Sequence, residues 1–167
     1  MKINPDYLEK IRQSAKSKTS VNKAFFKQLK QYNSRKLDDL VHQAHEKVFN
    51  EVNCLECANC CKLLGPQLFR LDIKRMAVAL KMKTSDFMDR YIKTDEDNDM
   101  VFNRKPCPFL AADNYCSIYD NRPRACREYP HTDRRKFYQL LDKTLKNIPV
   151  CPAAYRIVET LKDKINL

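Results

Sequence analysis

A single glycine, Gly65, stands in a chain of 167 residues, and that scarcity excludes a good deal. Loops that cradle phosphates need several glycines, because their backbone must approach the ligand closely and adopt positive φ. No GxGxxG or GxxxxGK pattern can be written here, which argues against a nucleotide-dependent enzyme of the Rossmann or P-loop kind. The sequence also lacks any window of the ~20 apolar residues that a membrane span requires. Its first residues, Met1-Lys2-Ile3-Asn4-Pro5-Asp6, are polar and charged. These absences predict a soluble, cytoplasmic protein with no membrane contact. A third absence is local: between Lys10 and Lys36 there are nine Lys or Arg and no Asp or Glu. Such a run is ordinarily a solvated helix face, with an acidic protein or a nucleic acid as the alternative partner.

Cysteine, by contrast, is abundant. A 167-residue domain can bury a core without cross-links, so its eight cysteines are not needed as staples. In a reducing compartment they point to metal binding or redox chemistry more than to disulfides. Four of them fall within Cys54-Leu55-Glu56-Cys57-Ala58-Asn59-Cys60-Cys61, and the others are Cys107, Cys116, Cys126 and Cys151. A Cys-x-x-Cys unit lets two sulfurs chelate one soft cation, and thiolates select zinc, iron-sulfur clusters or copper(I) over hard ions. If the octet is one helix, Cys54, Cys57 and Cys61 share a face and Cys60 points elsewhere. The eight thiols then allow two four-cysteine sites, or one site with spares. The octet plus Cys126 is the favoured primary site, with Cys107, Cys116 and Cys151 as supporting or second-site ligands and His131 as a possible substitute. For Cys151 the alternative is a buried small hydrophobe.

The remainder reads as helical scaffold. Ser20 is a candidate cap for a helix carrying Phe25, Phe26 and Leu29, and Leu37, Leu40, Val41, Ala44 and Val48 recur at the spacing of one apolar helical face. His42 and His45 lie on that helix and read as surface histidines before ligands. Asp72 and Thr84 are candidate caps for two further helices. The run Asp95 to Asp99 reads as a turn leading to a short strand, Met100 to Phe102, because an EF-hand loop would need a glycine and a later glutamate that are missing. A hairpin-like loop is expected around Ala112 to Asn114, a short helix from Pro123, a basic helix from about Arg134 to Lys146, and a last helix from Pro152.

The octet, together with Cys107-Pro108-Phe109-Leu110, Cys116-x-Ile118-Tyr119, Arg122-Pro123-x-x-Cys126-Arg127 and Tyr129-Pro130, resembles the CxxCxxCC family, also called YkgJ-like. The resemblance covers roughly Cys54 to Pro130 and implies zinc or iron chelation by the cysteines, with no assigned activity. A similar octet in flagellin lysine methylases implies an iron-sulfur cluster as the alternative, although no residue here independently supports methyl transfer. Arg122, Arg124 and Arg127 are candidates to offset thiolate charge; the competing reading pairs Arg122 with Asp120 or Glu128.

The sequence therefore predicts a mainly α, single helical domain spanning 1–167, with a cysteine-rich irregular metal-binding core and one short hairpin. Within it lie a helical arm (1–53), a cysteine-cluster region (54–130) and C-terminal helices (131–167). No catalytic motif is resolved. The expected role is metal binding through Cys54, Cys57, Cys60, Cys61, Cys107, Cys116, Cys126 and Cys151, with zinc as the first metal and iron or an iron-sulfur cluster as the alternative.

Overall fold

The structure, a computed structural model, describes residues 3–165. Along the chain run α1 (Pro5–Ser17), α2 (Thr19–Leu29), α3 (Ser34–Phe49), α4 (Cys54–Cys57), α5 (Asn59–Leu63), α6 (Arg70–Ala79), α7 (Thr84–Tyr91), β1 (Ile92–Thr94), β2 (Met100–Phe102), α8 (Arg124–Glu128), α9 (Leu141–Asn147) and α10 (Pro152–Lys164). Short 3-10 turns cover Tyr119–Asn121 and Phe137–Leu140. Helices dominate the described residues and the one sheet has two strands, the mainly α architecture that the sequence predicts. The chain forms two compact units, one of Met1–Cys54 with Pro130–Leu167 and the other of Leu55–Tyr129.

The first unit is an all-helical assembly. Asn4 and Asn33 cap α1 and α3 through side-chain oxygens that accept the amides of Tyr7 and Lys36, and Pro5 supplies the fixed φ that suits a first helical turn. α3 packs on α10, and α2 on α9. The predicted apolar face of α3 is buried at Leu37, Val41, Ala44 and Val48, while α10 buries Ala154, Ile157, Val158 and Leu161. Ser20 does not cap α2, which starts one residue earlier. The basic helix expected from Arg134 is shorter. The Asp38 carboxylate accepts the amides of Lys136 and Phe137 at 2.8 Å each, which fixes a 3-10 turn there and delays the α-helix to Leu141.

The second unit is built around Phe109. Its ring stacks on Phe87 at 6.1 Å between centroids and meets Phe102 edge-on at 5.4 Å, within a core of Leu68, Ile73, Met76, Ala77 and Ile118. The expected short strand at Met100 to Phe102 forms as β2 and pairs antiparallel with β1, Ile92 opposite Phe102. Their turn is the acidic run, in which the Asp95 carboxylate accepts the amides of Asp97 and Asp99. These carboxylate bonds close the hairpin without a glycine, Asn98 taking the positive φ of 66°. Two caps differ from expectation. Asp72 lies inside α6, and Thr84 is the first residue of α7 with Lys83 before it.

Candidate metal centre

The octet is not one helix. Ala58 adopts φ 46°, in the left-handed region, and divides it into α4 and α5, so the shared face expected of Cys54, Cys57 and Cys61 does not form. Cys57 closes α4 and is buried. Cys60 and Cys61 sit in the first turn of α5 with their sulfurs 4.0 Å apart, so Cys60 stays beside its neighbour instead of pointing away. Cys54 belongs to the helical unit, as do Cys151 and His131.

A backbone bond joins the octet to the later cysteines. The Cys107 amide donates to the Cys61 carbonyl at 2.8 Å, and the Asn114 side-chain amide donates to the Glu56 carbonyl at 3.2 Å. Beyond Cys107 the chain turns back narrowly: Ala111 N–H donates to Tyr115 O at 2.8 Å, Ser117 N–H to Phe109 O at 2.9 Å, and Leu110 bridges to Cys116. This hairpin-like loop, expected from the sequence, turns at Asn114 with φ 69° and returns Cys116 toward Cys107. Both cysteines pack on the Phe109 core.

Cys126 arrives on α8, and a buried carboxylate sets its place. Asp72, 3% exposed, accepts from Arg75 at 2.6 Å, from the Arg124 amide at 3.0 Å and from the Phe69 amide at 3.3 Å. Arg75 also donates to the Arg122 carbonyl at 3.0 Å. This pair therefore clamps the first residues of α8 to α6. From sequence Asp72 reads only as a helix cap, because its partner Arg124 lies 52 positions away and no local pattern announces it.

The thiols are electrostatically linked. Burial pushes Cys107 up to about 11 and Cys126 up to about 12, because a thiolate in apolar surroundings loses its hydration. Burial likewise raises Cys57 and Cys116. The Cys60 thiol lowers Cys61 to about 7 by hydrogen bonding to it. Cys126 also feels the charges of Cys61, Cys107 and Cys116, and Cys107 those of Cys61 and Cys116. Against that burial, the backbone amides of Asn59, Phe109 and Ile118 act to lower Cys57, Cys107 and Cys116 respectively. Such donors favour the thiolate.

Arg122 supplies the countercharge. Its guanidinium lies 3.7 Å over the Tyr119 ring and donates to Tyr119 O at 2.8 Å. From there it lowers the thiols of Cys61, Cys116 and Cys126 electrostatically. Arg122 thus takes neither Asp120 nor Glu128 as its main partner; Arg124 takes Glu128, at 2.6 Å. Arg127 donates to the Arg122 carbonyl at 3.2 Å.

Among the described residues no group of three or more His, Cys, Asp or Glu is drawn in to ligating positions. The donor chemistry nonetheless fits a soft or borderline cation: sulfur throughout, partly shielded from water, with amide donors and an arginine to stabilise the thiolates. Other candidates lie in the helical unit. Cys151 caps α10, its sulfur accepting the Ala154 amide at 3.4 Å. His42, exposed, lies 3.0 Å from Asp133, whereas His45 is half-buried, 2.9 Å from the Thr132 hydroxyl and 4.4 Å from the Phe49 ring.

Fold and thiols together define a helical protein with a cysteine-rich unit. A family model described as "CxxCxxCC: Putative zinc- or iron-chelating domain" matches residues 53–151, and the chain belongs to that family. Neither the curated proteins nor the solved structures contain a match to the chain. No helix among the described residues is long and apolar enough to cross a membrane.

Proposed function

We propose that the protein binds zinc through a closed thiolate site of Cys61, Cys107, Cys116 and Cys126, and that the site organises the fold of the 55–129 unit. The observation that carries this reading is the backbone route that gathers these cysteines: the Cys107 amide bonds to the Cys61 carbonyl at 2.8 Å, the Leu110 to Cys116 bridge turns Cys116 back toward Cys107, and Asp72 holds the start of the helix that carries Cys126. Zinc, when bound, would supply a redox-inert centre that fastens an irregular loop. The chain's own residues do the rest. The Phe109 and Ile118 amides favour the thiolates of Cys107 and Cys116, Arg122 would offset the charge that four thiolates leave on a divalent ion, and Asp72 with Arg75 holds α8 in place.

Cys57 and Cys60 adjoin this quartet through Cys61 and are assigned as flanking thiols. Cys54 and Cys151 are assigned outside it. That division departs from the octet plus Cys126, because the Cys107 amide bonds to the Cys61 carbonyl and the Leu110 to Cys116 bridge turns Cys116 back toward Cys107.

Anaerobic purification followed by metal analysis and visible absorption tests the proposal. One zinc per chain with no visible band is expected, with zinc lost in Cys61→Ser and Cys126→Ser and kept in Cys151→Ser. Stoichiometric iron with inorganic sulfide and a broad visible absorption would overturn the zinc assignment. Full retention in Cys61→Ser and Cys126→Ser would overturn the ligand assignment.

A further inference from the structure

The basic excess of the chain is confined largely to one unit. Residues 1–54 with 130–167 hold 19 Lys or Arg against 10 Asp or Glu, whereas residues 55–129 hold 13 against 11. Within the basic unit the run from Lys10 to Lys36 lies on α1, α2 and the start of α3, and Lys10, Lys16, Lys23, Lys27, Arg35 and Lys36 are exposed. Three cations of the run do have carboxylate partners: Arg12 with Glu9, Lys18 with Glu159, and Lys30 with Asp142. The six exposed ones form no ion pair among the described residues.

Their placement is unfavourable for the isolated unit. Lys23 and Lys27 stand four apart on α2, where like charges repel. Arg35 and Lys36 occupy the first turn of α3, which has no acidic residue, and cations there oppose the helix dipole. A polyanion would relieve both.

The apolar residues of the same helices narrow the choice of polyanion. Ile11, Ala15, Phe25, Phe26 and Leu29 are all buried, so no apolar face is left to enter a lipid surface, as an interfacial helix must. No aromatic of the run is exposed, Tyr32 being half-buried, so bases of a single strand find no stacking platform. Val21 is the run's one large exposed apolar side chain, whereas a protein interface is anchored by buried aromatic or apolar centres. Charge alone remains, and charge alone suffices for a phosphate backbone.

We infer that α1, α2 and the start of α3 form a sequence-independent contact surface for the phosphate backbone of a nucleic-acid duplex. Binding of the full-length, metal-loaded protein to a labelled duplex of mixed sequence, followed by fluorescence anisotropy from about 50 to about 200 mM salt, tests this. Wild type should bind at the low-salt end, with log K falling by roughly 0.9 per phosphate contact for each unit of log salt. The triple variant Lys16→Glu/Lys23→Glu/Lys27→Glu should lose on the order of tenfold or more in affinity and show a shallower salt slope. Circular dichroism should show its fold intact; if the triple variant unfolds, the milder Lys23→Gln/Lys27→Gln replaces it. Unchanged affinity in a folded variant overturns the inference. So does failure of the wild type to bind duplex at low salt, or binding to polyglutamate or anionic vesicles in preference to duplex. The metal content of these variants should equal that of wild type, which separates this surface from the thiol site.

Discussion

Glu159, on α10, feels three forces at once. Burial alone would raise its carboxyl, but hydrogen bonds from Lys162 at 2.6 Å and from Lys18 outweigh it, and the group is held below its ordinary value. A carboxyl depressed in the folded state contributes stability that is fully present above its unfolded pKa and is lost as pH falls through the folded one. The helical unit should therefore lose on the order of 1 kcal/mol from this partly exposed group on acidification from pH ~6 to pH ~3. Urea unfolding monitored at both pH values should show a smaller acid loss in Glu159→Gln, and an identical loss would remove Glu159 from the account. Lys18 sits on the opposite limb. Its hydrogen bond to Glu159, the largest contribution, raises its ammonium, so its share persists to high pH and disappears as pH rises through that raised value.

At the level of elements, α6 and α8 show what pattern reading can and cannot reach. The apolar faces were legible: the spacing of Leu37, Val41, Ala44 and Val48 places α3 correctly, and these residues are buried. Helix ends were not, because this chain ends helices without glycine. α6 closes with Lys81 at φ 55°, its amide bonding to Val78 O and that of Met82 to Ala77 O, a Schellman arrangement in which glycine is the usual signal. The octet misled for the same reason, since Ala58 at φ 46° carries no sequence mark of a break. The cysteines were legible by spacing, yet their grouping depends on the Cys107 to Cys61 backbone bond and on Asp72, both long-range. The Asp72–Arg75 pair is buried on the carboxylate side and joins α6 to the α8 that carries Cys126. Asp72→Ala leaves Arg75 with only the Arg122 carbonyl and the amides of Arg124 and Phe69 without their acceptor. A loss of about 1–3 kcal/mol is expected, as for buried donors left without an acceptor, with weakened metal retention. Thermal melting and metal analysis of Asp72→Ala check both, and wild-type melting with full metal content would show that α8 is held by other means.

For the whole molecule, the division into units separates two kinds of physics. Met1–Cys54 with Pro130–Leu167 is a helical assembly whose stability comes from apolar faces such as those of α3 and α10. Leu55–Tyr129 has its own core around Phe109, but between α7 and α8 its backbone has only two three-residue strands and one 3-10 turn. Segments with few regular hydrogen bonds open at low free energy, and a ligand that binds only the folded state closes them by mass action. Removal of the metal by a chelator should therefore lower amide protection within 55–129, most at Cys107 and Ser117, whose amides tie the loop to the octet and back on itself. The amides of α3 and α10 should keep their protection. Hydrogen exchange with mass-spectrometric readout on loaded and stripped protein distinguishes the cases. Equal loss across both units would mean that the metal stabilises the chain as a whole, and no loss at Cys107 and Ser117 would place the metal away from this loop.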